Sequence, residues 1–179
     1  VVRLTDNSVE DADPSWSPDG SKIAFQVGIP GGFYSIYTMN AADGQNRQEI
    51  TALAGDEFRP SWSPDGTKIA FHTDRDSPND IWTVNADGTG TPDNLTNLLG
   101  ATDRYPSWSP LLAPVFPDLR IAGKIAFRSN LNEVYSMNAD GSGQTNLTNT
   151  GASNGDPQWS PDRTKIAFRR SSNNNHEIY

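Results

Sequence analysis

One short motif occurs four times along the 179-residue sequence, and it limits the possible folds more than any other feature. In its first copy, residues 14–20, it reads Pro-Ser-Trp-Ser-Pro-Asp-Gly, and residues 60–66 repeat the same letters. Each motif is followed by Lys-Ile-Ala-Phe and then by an aliphatic–aromatic pair. The motif tryptophans recur at intervals of 46, 46 and 51 residues, and they are Trp16, Trp62, Trp108 and Trp159. This fixed order indicates a tandem repeat.

Each part of the repeat predicts a short strand or a turn. Runs rich in Ile, Phe, Tyr, Trp and Thr, bounded by Pro, Gly, Asn and Asp, are typical of strands. Ser-Pro-Asp-Gly suits a tight turn, because proline presets one φ angle and glycine accepts the left-handed one. Asn-Ala-Asp-Gly, later in the repeat, is a second hairpin signal. No run shows a sustained helical period, so we expect almost no helix.

The repeat therefore predicts an all-β fold, a β-propeller of four-stranded antiparallel blades. A single sheet of this size cannot bury both faces, whereas copies arranged radially can. We expect one propeller unit over residues 1–179, with repeats at approximately 6–51, 52–96, 97–148 and 149–179. The last repeat contains only three of the four strands, and the N-terminal strand, residues 2–5, is predicted to complete the last blade.

Three arrangements of the four repeats stay open at this point. The chain could close on itself as a four-bladed monomer. Two chains that exchange their N-terminal strands would form a homodimer with an eight-bladed ring, which leaves no unpaired edge. The third alternative is that the four repeats are part of a larger propeller.

The pattern Pro-Ser-Trp-Ser-Pro-Asp-Gly-x-Lys-Ile-Ala-Phe, followed by Ile-Tyr-x-Met-Asn and an aliphatic–Thr pair, resembles the PD40 or WD40-like repeat of TolB-like β-propellers. The resemblance implies that the first strand of each blade lines a central channel and that the fourth lies at the rim. It also implies a non-enzymatic binding scaffold for a protein or peptide partner, in the periplasm or secreted. The sequence departs from the family in its four copies and in an insertion at residues 111–120, whose apolar residues suggest a partner or subunit contact.

Composition excludes several classes of function. The formal net charge of −8 argues against a nucleic-acid partner. There is no cysteine, so thiolate metal sites and disulfides are excluded. No apolar run is long enough for membrane insertion. No nucleophile elbow, phosphate-binding loop or paired-histidine motif is present, so we expect no enzymatic activity.

The candidate site consists of polar residues that precede the innermost strand of each repeat. If those strands line a channel, the residues surround one mouth of it, where carboxylates could hold Ca²⁺ or receive a basic group of a peptide. Apart from this possible Ca²⁺, no cofactor is expected. The candidate ligand- or partner-binding residues are Asp11, Asp13, Glu57, Arg59, Asp103, Tyr105, Asn154 and Asp156.

Alternative interpretations exist for the site and for the function. Aspartates before a strand also serve turn bonding and solubility. The four motif tryptophans could stack on a sugar, although packing between blades is the expectation for a residue that recurs at one repeat position. The alternative functions are a propeller that binds a cation, sugar or small ligand, and the non-catalytic propeller domain of a larger peptidase or lyase.

Overall fold

The computed structural model describes residues 2–76, 78–97, 101–110, 123–129, 132–172 and 175–179. These residues form fifteen strands in four antiparallel sheets, and no helix is found among them. The insertion at residues 111–120 lies outside the described residues.

The sheets follow one another along the chain, one for each repeat. The first contains β1 (Asp11–Trp16), β2 (Lys22–Gly28), β3 (Tyr34–Asn40) and β4 (Gln48–Glu49). The second contains β5 (Glu57–Trp62), β6 (Lys68–Thr73), β7 (Asp80–Asn85) and β8 (Asp93–Asn94). The third contains β9 (Arg104–Trp108), β10 (Lys124–Ser129), β11 (Glu133–Asn138) and β12 (Thr145–Asn146). The fourth contains β13 (Ser153–Trp159), β14 (Ile166–Ser172) and β15 (Asn175–Ile178).

The predicted β-propeller architecture is confirmed. The innermost strands β1, β5, β9 and β13 contact one another in sequence order, and residues of all four line one central cavity. Within each sheet every strand pairs with the next along the chain, as the hairpin signals predict.

The core lies between the blades. At the first junction, Ala24 and Ile36 of the first blade pack against Trp62, Ile69 and Phe71 of the second. The second junction repeats this arrangement, with Ala70 and Ile81 against residues of the third blade that include Trp108. Both faces of β6, the second strand of the second blade, are buried in this way, because a neighbouring blade covers each face.

The expectation that the motif tryptophans form this core is confirmed for Trp62 and Trp108, each 8% exposed. It is wrong for Trp16, which is 62% exposed. At the other end of the series, Ala167 of the fourth blade is exposed, whereas its equivalent Ala24 is fully buried. Among the described residues, the inner strands β1 and β13 do not pack against each other to the extent that β1 and β5 do.

The N-terminal segment does not complete the last blade, which corrects that part of the prediction. Residues 2–5 form no strand, and the described strands of the fourth sheet are three. Leu4 packs instead against the first blade, beside Ile23 and Phe25, with its backbone against Gly44. Leu95 lies against Gly141 of the third blade in the same way. The apolar face of the first blade therefore holds this segment without any strand pairing.

Candidate functional site

Each innermost strand contains a β-bulge directly before the second residue of the repeat motif. In β1 the register shifts between Ala12 and Ser15, so that Asp13 and Pro14 together oppose one residue of β2. The same shift recurs in β5, β9 and β13. The bulge is therefore a property of the repeat and not of one blade.

The bulged residue has a positive φ in all four blades: 49° at Asp13, 55° at Arg59, 60° at Tyr105 and 51° at Asp156. Residues with a Cβ pay about 1–2 kcal/mol for this conformation. Four equivalent strained positions persist because the surrounding sheet fixes the backbone there. The bulge re-aims the side chain of this residue, and the four side chains meet around the central cavity.

The cavity has a volume of about 320 Å³ and is lined by the bulged residue and the proline of all four inner strands, together with Ser15, Ser61 and Gln158. Arg59 is central to it, because its Nε lies 3.1 Å from Asp13 Oδ2 and its guanidinium stacks 5.2 Å from the ring centre of Tyr105. On the other side, Arg169 Nε donates to Asp156 Oδ2 at 2.7 Å. The mouth thus presents carboxylates, guanidinium groups and a phenol within one small space.

Both ion pairs are partly exposed, with side-chain exposures of 50% for Arg59 and 38% for Asp156. Exposed pairs of this kind contribute about 0–1 kcal/mol to stability. Their charged groups are consequently available to a ligand at little cost to the fold.

Four of the predicted site residues, Asp13, Arg59, Tyr105 and Asp156, line the channel cavity. The predicted location is wrong for Glu57, Asp103 and Asn154, which are buried away from it, and Asp11 does not line the cavity. The reason is the bulge. Residues two apart on a regular strand share a face. The inserted residue instead places the third residue before the proline, such as Asp11, on a different side from the residue directly before the proline, such as Asp13.

The buried residues join the rim of one blade to the next. Thr51 accepts a hydrogen bond from the Ile36 backbone N–H at 2.9 Å and donates its own hydroxyl to Glu57 of the following blade. At the third junction Asn154 donates to Glu133 Oε2 at 2.9 Å. These contacts satisfy polar groups that would otherwise be buried without a partner.

The electrostatics of this position differ from blade to blade. Burial raises the pKa of Glu57 to about 7, although hydrogen bonds from Thr51 and the Leu53 backbone oppose the change. Burial also raises the pKa of Asp103. Burial alone would raise the pKa of Asp11 as well, but hydrogen bonds, of which the one from Arg47 is the strongest, outweigh it and lower that pKa.

A row of four rings, which the sequence analysis did not identify, leads from the first blade to the channel. Tyr34, Phe58, His72 and Tyr105 follow one another with ring centres 5.4 Å apart at each step. His72 is buried, and burial together with Arg104 and Arg59 lowers its pKa to about 3. No repeat signal marks these residues, because their positions hold different residue types in the other copies.

Within the described ranges, no group of three or more His, Asp or Glu side chains is placed to hold a metal ion. In the same part of the chain, no helix is long and apolar enough to cross a membrane.

Comparison with known proteins agrees with this geometry. A TolB protein from Agrobacterium tumefaciens has 26% sequence identity and a TM-score of 0.73, over 89% of this chain and 54% of its own. TolB from Acinetobacter baumannii has 23% identity and a TM-score of 0.72, over 98% of this chain and 41% of its own. A puromycin-hydrolysing peptidase of Mycobacterium tuberculosis has 16% identity and a TM-score of 0.66, with 91% and 27% covered. The chain thus spans about half the length of these TolB proteins. No curated protein matches it.

The fold and the channel define a β-propeller with a polar central opening. The model of the TolB beta propeller domain family, PD40, matches residues 1–115, which is more than half of the chain. The chain belongs to this family.

Proposed function

We propose that this propeller is a non-enzymatic binding scaffold that recognises a protein or peptide partner at its channel mouth. The observation that carries the proposal is the set of four bulged positions. The residues after the bulge are nearly constant, Pro-Ser-Trp in three copies, whereas the bulged residue itself is Asp, Arg, Tyr and Asp. The constant residues serve the blade, so the varied ones are free to determine what the channel binds.

The chemistry of the mouth favours a peptide over a bare cation. Asp13 and Asp156 each have a guanidinium partner, and Tyr105 offers a ring for stacking. A peptide supplies charged groups of both signs and apolar side chains that can exchange with these partners. The alternative of a Ca²⁺ site predicts heat on calcium titration by calorimetry.

The test uses a peptide selected from a random library on the immobilised 179-residue chain, with its dissociation constant measured by fluorescence anisotropy. We expect Arg59→Gln and Tyr105→Ala each to weaken binding by about tenfold or more, as central interface residues do. Arg163→Gln is the matched control, because Arg163 lies in the turn between β13 and β14, away from the channel lining. Equal binding by all variants would exclude the channel as the site.

A periplasmic or secreted location belongs to the same proposal and is supported by the family. Fractionation of cells that produce the natural protein checks it, and recovery in the cytoplasmic fraction alone would contradict it.

A second proposal concerns association with another copy of the chain. Trp16 on the first blade is exposed although its equivalents are core, and Ala167 on the fourth blade is exposed although its equivalents receive such a tryptophan. Two chains joined head to tail would bury both faces in an eight-bladed ring. Further blades in a longer chain would cover the same faces.

Light scattering shows whether the 179-residue chain forms this homodimer. A mass near twice 19.5 kDa that falls to the single value in Trp16→Ala supports the homodimer. A mass of 19.5 kDa in the unaltered chain contradicts it.

A further inference from the structure

The loop between β2 and β3 of the first blade exposes apolar side chains that the blade does not need. Ile29 is 38% exposed and Phe33 is 51% exposed. In the sequence, the corresponding loop of the second repeat is Asp-Arg-Asp-Ser-Pro-Asn, that of the third is Asn-Leu-Asn, and that of the fourth is Asn-Asn. The second and fourth repeats thus connect these strands without an aliphatic or aromatic residue, so the blade does not need Ile29 and Phe33 in this loop and they have another use.

This loop holds its shape through its own backbone. The Gly32 N–H donates to the Ile29 carbonyl at 2.9 Å, and the Ile29 N–H donates to the Phe33 carbonyl at 3.3 Å. Gly31 has a φ of 74°, which glycine adopts without strain. A loop fixed in advance loses little conformational entropy when it binds, and this favours a role in recognition.

The loop and the segment of residues 8–10 enclose a groove of about 340 Å³. Glu10 lies on its wall and accepts a hydrogen bond from the Tyr34 hydroxyl at 2.8 Å. Nearby, Asp56 accepts one from the Tyr34 backbone N–H at 2.9 Å. Neither carboxylate forms an ion pair with a Lys or Arg of the described residues. The groove therefore combines apolar surface with uncompensated negative charge.

The groove lies on the same side of the propeller as the channel mouth. Tyr34, at the base of the loop, begins the row of rings that ends at Tyr105 in the channel wall. Phe58 of that row directly precedes the channel residue Arg59. A partner seated at the channel can reach the groove from there.

Resting on the proposed function, we propose that this groove and Phe33 bind a segment of the protein partner that presents a basic side chain beside an apolar one. Charge complementarity argues for this occupant, because a Lys or Arg supplies the cation that Glu10 and Asp56 lack. It also argues against an anionic membrane surface, which repels the net charge of −8.

The test uses peptides selected from a random library on the full chain, with binding measured by fluorescence anisotropy. We expect the selected peptides to contain Lys or Arg next to an aromatic or aliphatic residue. Phe33→Ser should weaken their binding by about tenfold, and Glu10→Gln by about threefold with a smaller dependence on salt. The matched controls Val2→Ser and Glu49→Gln, at exposed positions outside the groove, should leave the dissociation constant within about twofold.

The outcomes distinguish binding at the groove from binding at the channel mouth. Binding that is unchanged in Phe33→Ser but lost in Arg59→Gln overturns the groove and keeps the channel. Binding that is lost in Phe33→Ser but unchanged in Arg59→Gln keeps the groove and overturns the channel. Selected peptides without a basic residue overturn the proposed chemistry. If the chain sediments with neutral phosphatidylcholine vesicles and Phe33→Ser abolishes this, the loop binds a membrane instead. If the chain forms a dimer that Phe33→Ser abolishes, the loop binds a second copy instead.

Discussion

Trp62 and Trp16 hold the same position of the repeat, but one is core and the other is surface. Trp62 is 8% exposed and donates its indole N–H to the Ser15 carbonyl of the preceding blade at 3.1 Å. Trp16 is 62% exposed, because no blade of the described chain lies against its face. A blade orients its tryptophan, but only a neighbouring blade makes that residue part of a core.

The same two regions differ in their electrostatics. Glu57, fully buried at the junction of the first two blades, has a pKa raised to about 7 by burial. In the first blade the equivalent residue is Asp11, whose Oδ1 lies 3.0 Å from Arg47 Nη2. Its pKa is lowered, because hydrogen bonds, of which the one from Arg47 is the strongest, outweigh burial. Closing a junction therefore changes the titration of a carboxyl as well as the burial of an indole.

The largest effect is expected from a substitution that disrupts the packing at the junction of the first two blades. We expect Trp62→Ala to lower the free energy of unfolding by about 3–5 kcal/mol, since it leaves a large cavity and removes an indole hydrogen bond. Trp16→Ala should change it by less than about 1 kcal/mol, because the side chain is already in water. Urea denaturation checks both, at a concentration where light scattering shows single chains. Equal losses would mean that the face of Trp16 is covered in solution.

A smaller effect is expected on the pH dependence of stability, to which the carboxyls of Glu57 and Asp11 contribute differently. Between pH 4.5 and about 7 the unfolded chain ionises Glu57 while the folded chain keeps it protonated. The folded state then binds more protons at Glu57, so the contribution of this carboxyl to stability falls as pH rises through the window, by about 3 kcal/mol at most. His72 acts in the opposite sense up to about pH 6.5, because its lowered pKa makes the folded state bind fewer protons there.

Glu57→Gln should remove this contribution, so that between pH 5 and 7 its stability rises more, or falls less, with pH than that of the unaltered chain. Asp11→Asn is the matched control. The lowered pKa of Asp11 gives stability that is present above its unfolded value of 3.8 and lost only in stronger acid. Its removal should therefore leave the slope between pH 5 and 7 unchanged. Denaturation midpoints measured across this range check the prediction, and a slope in Glu57→Gln equal to that of the unaltered chain would refute the assignment.

The smallest effect is expected in the turn between the first and second strands of a blade. Gly20 has a φ of 71°, and Arg163 adopts 61° at the equivalent position of the fourth blade. Arg163→Gly should stabilise the chain by up to about 1 kcal/mol, because glycine has no Cβ and adopts this positive φ without a clash.

Gly20→Ala is the reverse substitution, and it should destabilise by a similar amount. An added Cβ meets nothing within 4 Å, so only the backbone strain is measured. Thermal unfolding of both variants checks the pair, and shifts of the same sign would contradict the explanation.

Much of the fold could be predicted from the sequence because its causes are local. The Lys-Ile-Ala-Phe strand, the Ser-Pro-Asp-Gly turn and the aliphatic–Thr pair each follow from residue types close together in the chain. The repeat then forces copies of one sheet to cover each other, which predicts the propeller. The strand pairing predicted for residues 2–5 does not form, because it depends on whether the fourth blade lies beside the first and not on the residues of the segment. Leu4 does pack on the first blade, as Leu95 of the second repeat packs on the third.

The candidate site shows the same division. The sequence by itself determined that polar residues stand before each innermost strand, and it identified Asp13, Arg59, Tyr105 and Asp156 among them. Only the tertiary structure separated these channel residues from Glu57 and its equivalents. A bulge inserts one residue into the pairing and reverses the face of the residues beyond it, and its position depends on the partner strand. Whether a tryptophan or a carboxyl is buried likewise depends on the neighbouring blade, since one blade cannot cover its own faces.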